Sequence, residues 1–143
     1  MKLLLNIDVP DLPAAERFYG EAFGLRRGRR FGDDALEMLG AEVAIYLLHK
    51  AAGTPAAEAS ARDYMRHWSP LHCDVVVEDL DAALIRAVAA GAIQEGAVRE
   101  PGWGRIVQLA DPFGHGWCLV QFVGRGYDLI ASDVVADETV AAA

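Results

Sequence analysis

The chain repeats itself. The segments LLNIDVPDLPAAERFYGEAFGL, from Leu4, and HCDVVVEDLDAALIRAVAAGAI, from His72, align at an offset of 68 residues. Asp11-Leu12 then meets Asp79-Leu80, and Ala14-Ala15 meets Ala82-Ala83. Apolar alternation predicts a strand at the start of each copy, followed by an acidic turn. Period 3.6 and alanine content predict a helix next, ending near Gly24 in one copy and Gly91 in the other. Further strands follow more loosely, AEVAIYLLHK in the first half and RIVQLAD and GWCLVQFV in the second. Such a duplication restricts the architecture to two similar α+β modules.

At 143 residues the chain is long enough for one domain with a substantial core. We expect a single domain over 1–122, made of a first module (1–50), a connection (51–70) and a second module (71–122). Residues 123–143 form a C-terminal extension in which Tyr127 to Ile130 packs down and the last residues fray. Gly53-Thr54-Pro55 and Ser69-Pro70 mark turns at the ends of the connection, and its middle predicts a short helix from about 56 to 68.

Charge narrows the partners. A net charge of −8 argues against nucleic acid, which needs a basic footprint. The one basic cluster, Arg26 to Arg30, reads as a solvated turn or edge strand. No apolar run approaches the ~18–20 residues that cross a bilayer, so no membrane partner is expected. The opening MKLLLNIDVPD is too short and too acidic for a signal peptide. With only two cysteines there is no disulfide framework, and a cytoplasmic location is expected.

Alternation sorts each opening strand into two faces. Leu3, Leu5, Ile7 and Val9 pair with Cys73, Val75 and Val77 as the faces that pack on the helices. Leu4, Asn6 and Asp8, with His72, Asp74 and Val76, face whatever the sheets enclose, as do Tyr46 and Cys118. Phe18, Tyr19, Phe23 and Leu25 have the helical spacing of core residues. Trp117 should pack under the sheet, Trp103 should sit at a cavity mouth, and Arg105 could reach an anionic ligand.

Three pieces, NIDVPDLPAAERFYGEAFGL, HCDVVVEDLDAA and LADPFGHGWCLVQF, resemble the vicinal oxygen chelate superfamily of glyoxalase I, bleomycin-resistance proteins and extradiol dioxygenases. The resemblance implies a glyoxalase/bleomycin-resistance fold, with two βαβββ modules whose mixed sheets curl around a small-molecule cavity. It also implies a homodimer. In metal-dependent members four ligands, usually His or Gln and Glu, come from the first and last strands of each module. Here those positions carry Leu4, Tyr46, His72 and Cys118. Leucine cannot ligate, tyrosine is an uncommon ligand, and a single imidazole with one thiol falls short of an oxygen-rich octahedral site.

The expected function is therefore binding of a small apolar or cationic molecule without metal or other cofactor. Leu4, Asn6, Tyr46, His72, Asp74, Trp103, Arg105 and Cys118 are its candidate contacts. The alternative is an enzyme of the superfamily (lyase, isomerase or dioxygenase-like) with atypical acid–base or metal chemistry around His72, for which Tyr46 and Cys118 are further catalytic candidates. Metal-dependent glyoxalase or dioxygenase activity is not expected. Cys118 as a nucleophile would need His72 within hydrogen-bond reach and a lowered thiol pKa.

Overall fold

The computed structural model describes residues 1–132. The first module runs β1 (Leu4–Val9), α1 (Leu12–Phe23), β2 (Arg26–Phe31), β3 (Ala35–Leu39) and β4 (Ala44–His49). A small hairpin, β5 (Pro55–Ala57) and β6 (Ser60–Ala61), follows. The second module runs β7 (Cys73–Val76), α2 (Leu80–Ala90), β8 (Ile93–Arg99), β9 (Gly104–Ala110) and β10 (Gly116–Phe122). Its sheet order, β7-β10-β9-β8, reproduces the β1-β4-β3-β2 order of the first. In both, the opening strand lies parallel to the closing strand and the other pairs are antiparallel. The α+β duplication expected from the sequence is the fold.

The repeated Asp-Leu pairs have a local cause. Asp11 and Asp79 are extended N-caps whose carboxylates accept from Ala14 N at 2.9 Å and Ala82 N at 3.0 Å. Gly24 (φ 73°) and Gly91 (φ 115°) end the helices in the left-handed region, where a side chain would be strained. Between these stops α1 buries Leu12, Ala15, Phe18, Tyr19 and Ala22, and α2 buries Leu80, Ala83 and Ala87. The two helices pack on each other beneath the sheets.

Strand alternation supplies the rest of the core. Ile7 and Val9, Leu36 and Met38, Ile45 and Leu47, and Val107 and Leu109 are all buried against the helices. Trp117 joins them, its ring centroid 5.7 Å from that of Tyr19 and 5.2 Å from that of Phe23. Phe113, in the turn before β10, stacks edge-on to Phe18 at 6.0 Å. Aromatic side chains of the first helix thus pack against the last turn and strand of the second module.

The connection departs from expectation. No helix forms over 56 to 68; a two-stranded hairpin occupies its start, and the chain from Arg62 to His72 has no regular repeat. Glu58, at φ 43°, turns the hairpin. Arg62 then fixes it from inside, bonding Asp8 of β1 at 2.7 Å and the Pro55 carbonyl. These tertiary bonds outweigh the weak helical preference of an alanine-containing stretch. In the extension, a 3₁₀ turn over Gly126–Leu129 sets Tyr127 4.8 Å from both Trp103 and Phe122. The expected fraying falls on 133–143, outside the described residues.

Candidate functional site

The parallel register of β7 and β10 puts Asp74 beside Cys118. His72, two residues before Asp74, shares its face. Across the sheet Cys118 lies opposite Gln108, and Gln108 opposite Glu95. One row of polar residues therefore crosses four strands, Asp74, Cys118, Gln108 and Glu95. Above it lies a cavity of about 280 Å³ lined by His72, Cys118, Gln108, Glu95, Trp68 and Arg66, among others.

Within this face the donor atoms of His72, Asp74 and Cys118 all lie within 4.8 Å of one another. His72 Nε2 is 3.6 Å from Asp74 Oδ1. The imidazole is largely exposed, the Asp74 carboxylate about a third exposed, and Cys118 buried. Burial first, and then the charge of Asp74 and its hydrogen bond to the sulfur, push the Cys118 thiol up to about 11. Cys118 is thus held as a thiol beside Asp74, opposite to the lowered pKa a nucleophile needs.

Arg66 closes one side. Its guanidinium holds Glu95 in a two-point pair at 2.8 and 3.0 Å. A Cβ on Gly116 would come within 2.7 Å of Arg66 Nη2, so glycine there admits the guanidinium. Strand alternation could have placed Glu95 and Gln108 on this face from sequence. Arg66 enters from an irregular segment and leaves no such signal.

The corresponding row of the first module is Asn6, Tyr46 and Glu37. It is occupied by its own ion pair. Arg29 donates to Glu37 at 2.6 and 2.9 Å through its guanidinium and at 3.1 Å through its backbone N–H. These bonds from Arg29 hold the Glu37 carboxyl down to about 2. Tyr46 Oη accepts from Arg29 at 3.1 Å and donates to Glu37 at 3.3 Å.

The candidates separate accordingly. His72, Asp74 and Cys118 come together, and Asn6 shares an adjoining cleft of about 240 Å³ with His72. Tyr46 belongs to the first module's ion-pair face, and Leu4 is half exposed beside Ala44. Trp103 is not at a cavity mouth, because it packs on Tyr127 and Phe122. Arg105 shares the strand face of buried Val107 and Leu109, so it turns toward α2 and pairs with Asp81 at 2.9 and 3.0 Å and Glu100 at 3.1 Å. Neither Trp103 nor Arg105 lines the cavity over His72.

A divalent metal bridging the two modules does not fit these side chains. Leu4 has no donor atom, and the Tyr46 hydroxyl is engaged by Arg29 and Glu37 on the other module's face. Among the described residues, the one metal-ligating cluster is His72, Asp74 and Cys118, all in the second module.

The model of the glyoxalase-like domain matches residues 5–120. A Mycobacterium bovis protein of uncharacterized function is 43% identical over 54 residues, 37% of this chain; the match spans 36% of that protein's length. Among solved structures, a glyoxalase-related enzyme from Fulvimarina pelagi superposes with a TM-score of 0.66 at 21% identity, covering 88% of this chain and 95% of that one. TioX from Micromonospora sp. ML1 gives 0.64 at 20% identity, over 86% and 99%. A variant of the fosfomycin resistance protein FosX from Listeria monocytogenes, complexed with Mn(II) and 1S,2S-dihydroxypropylphosphonic acid, gives 0.65 at 17% identity, over 90% and 95%. With that domain spanning most of its length and two βαβββ modules in its fold, the chain belongs to the glyoxalase-like family of the vicinal oxygen chelate superfamily.

Proposed function

We propose that this protein binds a small aromatic or cationic molecule in the cavity over β7 and β10, without a metal bridging its modules. The observation that carries the reading is the 280 Å³ cavity over the second module's polar row, lined by His72, Gln108 and Cys118 with Trp68 beside them. Trp68 supplies aromatic contact area, and His72 and Gln108 supply orienting polar groups. The FosX complex supports small-molecule binding in this fold.

The test is calorimetric titration of chelator-treated protein with a panel of aromatic and cationic metabolites. A specific ligand should lose at least about tenfold in affinity in His72→Ala and Trp68→Ala. Absence of any specific binder, with turnover found in an activity screen, overturns the reading. One observation favours that second, enzymatic reading: Asp74 lies 3.6 Å from His72 Nε2, a carboxylate–imidazole arrangement suited to acid–base work. It expects His72→Ala to abolish turnover with the fold intact. The homodimer is a further part of the proposal, with a second copy covering exposed Met65, Trp68 and Leu71. A monomer in sedimentation equilibrium removes that part alone.

A further inference from the structure

We propose that residues 133–140, DVVADETV, dock along the outer face of α2 and cover its exposed Ile85 and Val88. This surface lies on the helix side of the sheet, away from the cavity over β7 and β10, and its cover does not depend on the small-molecule reading. A helix with one side on a sheet normally carries polar residues on the other. α1 follows that rule, with Arg17 and Glu21 at exposed positions. α2, LDAALIRAVAA, does not, because Asp81 and Arg86 are its only polar side chains. Ile85 is 70% exposed and Val88 46%, and with Asp81 they recur at i, i+4 and i+7 along one stripe. A helix apolar on nearly all sides is the pattern of one covered on both.

The path of the chain leads to this stripe. The backbone N–H of Leu80 donates to Gln121 Oε1 at 3.2 Å, so α2 begins beside the end of β10, where the extension leaves the sheet. The extension keeps to that end. Leu129 Cδ2 lies 3.7 Å from where a Cβ on Gly102 would stand, in the turn between β8 and β9. Arg105 ties the same turn to the stripe, bonding Glu100 at 3.1 Å and Asp81, the stripe's first residue, at 2.9 and 3.0 Å. From Asp81 to Val88 the helix advances only about 10 Å. Residues 133–140, if extended, reach about 26 Å, enough to run the length of the stripe.

The segment also matches the stripe in chemistry. Val134, Val135 and Val140 supply apolar side chains for Ile85 and Val88. Asp137 and Glu138, between those valines, supply charge for Arg86, which is exposed and has no ion pair among the described residues. The helix's own carboxylate, Asp81, is taken by Arg105. Covalent attachment keeps the segment at a high local concentration, so a modest contact suffices. A second copy docking through the same stripe about a twofold axis would instead bring the two Arg86 side chains together, with like charges opposed.

Hydrogen–deuterium exchange with mass spectrometry on the full, untagged chain is the test. The amides of 134–140 should exchange at least about tenfold more slowly than those of the same sequence as a free peptide, equally at low and high protein concentration. Ile85→Ser and Val88→Ser should each bring them to the free-peptide rate while the amides of β9 and β10 keep theirs. Arg86→Glu should speed their exchange severalfold, which keeps the test valid if a serine in the stripe disturbs the helix. Leu3→Ser, at an exposed apolar position of the first module, should change nothing in this segment. Free-peptide exchange in the parent, or protection unchanged in both Ile85→Ser and Arg86→Glu, overturns the proposal. So does protection that grows with protein concentration, or a freely exchanging segment in a chain whose self-association is lost in Ile85→Ser, since a second copy is then the occupant.

Discussion

Tyr19, on the helix of the first module, donates a 2.6 Å hydrogen bond to Asp111, in the turn before the last strand of the second. The Asp111 carboxylate is fully buried and also receives Trp117 Nε1 at 3.0 Å, His115 Nδ1 at 2.8 Å and the backbone N–H groups of Phe113 and His115. Two modules with similar sheets are joined through one carboxylate.

Tyr19→Phe should therefore cost about 1.5–3 kcal/mol, as expected for a hydrogen bond to a charged acceptor. Asp111→Ala should cost more than about 3 kcal/mol, because several buried donors lose their partner together. Urea denaturation of the two variants measures both values. A Tyr19→Phe protein as stable as the parent would show that the bond contributes nothing net.

Acid should loosen the same junction. Burial opposes the charge on Asp111, but the bonds from His115, Tyr19 and Trp117 outweigh it and hold its carboxyl below the usual value. A carboxylate whose folded pKa lies below its unfolded value of about 4 gives stability that is present above pH ~4 and is lost as pH falls through the folded pKa. The urea midpoint should hold down to about pH 5 and then decline. In Asp111→Asn the acid limb should be shallower, on a lower starting stability. Parallel acid limbs would exclude Asp111 as a source.

Cys118 should be a slow thiol. With its pKa near 11, its thiolate fraction at pH 8 falls on the order of 10²-fold below that of an ordinary cysteine near 8.5. Alkylation followed by peptide mass spectrometry should find Cys118 largely unmodified when a model thiol is fully labelled. Asp74→Asn should speed its labelling, since the carboxylate disfavours the thiolate. Rapid labelling of the parent at pH 8 would contradict this environment.

Two glycines are set by close approach. A Cβ at Gly104 would lie 2.4 Å from the Gln121 carbonyl oxygen, part of the neighbouring strand's backbone. A Cβ at Gly28 would meet Glu37 Oε2 at 2.7 Å, the end of a side chain. Gly104→Ala should cost about 3 kcal/mol or block folding, and Gly28→Ala about 1 kcal/mol with a weakened Arg29–Glu37 pair. Thermal denaturation ranks them, and the reverse order would refute the distinction between backbone and side-chain obstacles.

The fold was legible because its signals are local and occur twice. Asp11 and Asp79 cap helices, Gly24 and Gly91 stop them, and alternation assigns the faces of β1 and β7. The site was legible only where register is regular, at Asp74, His72 and Cys118. It was not legible where long side chains choose among distant partners. Arg66 could have stayed in solvent but found Glu95, Arg29 took Glu37 and Tyr46, and Arg105 took Asp81. Trp103 was read by its loop position, and its place was decided by Phe122 and Tyr127. The connection misled because alanine content says little about a segment that Arg62 pins to Asp8.

The parallel pairing of each module's opening and closing strands also governs when the site comes into being. Asp74 meets Cys118 only after a helix and two antiparallel strands have formed between them, since a parallel neighbour cannot be reached by a tight turn. During synthesis, a nascent chain that has not yet delivered β10 carries Asp74 on a strand without its sheet partner, and with neither thiol nor cavity. The site proposed to bind a small molecule is thus completed only when the module's last strand is in place.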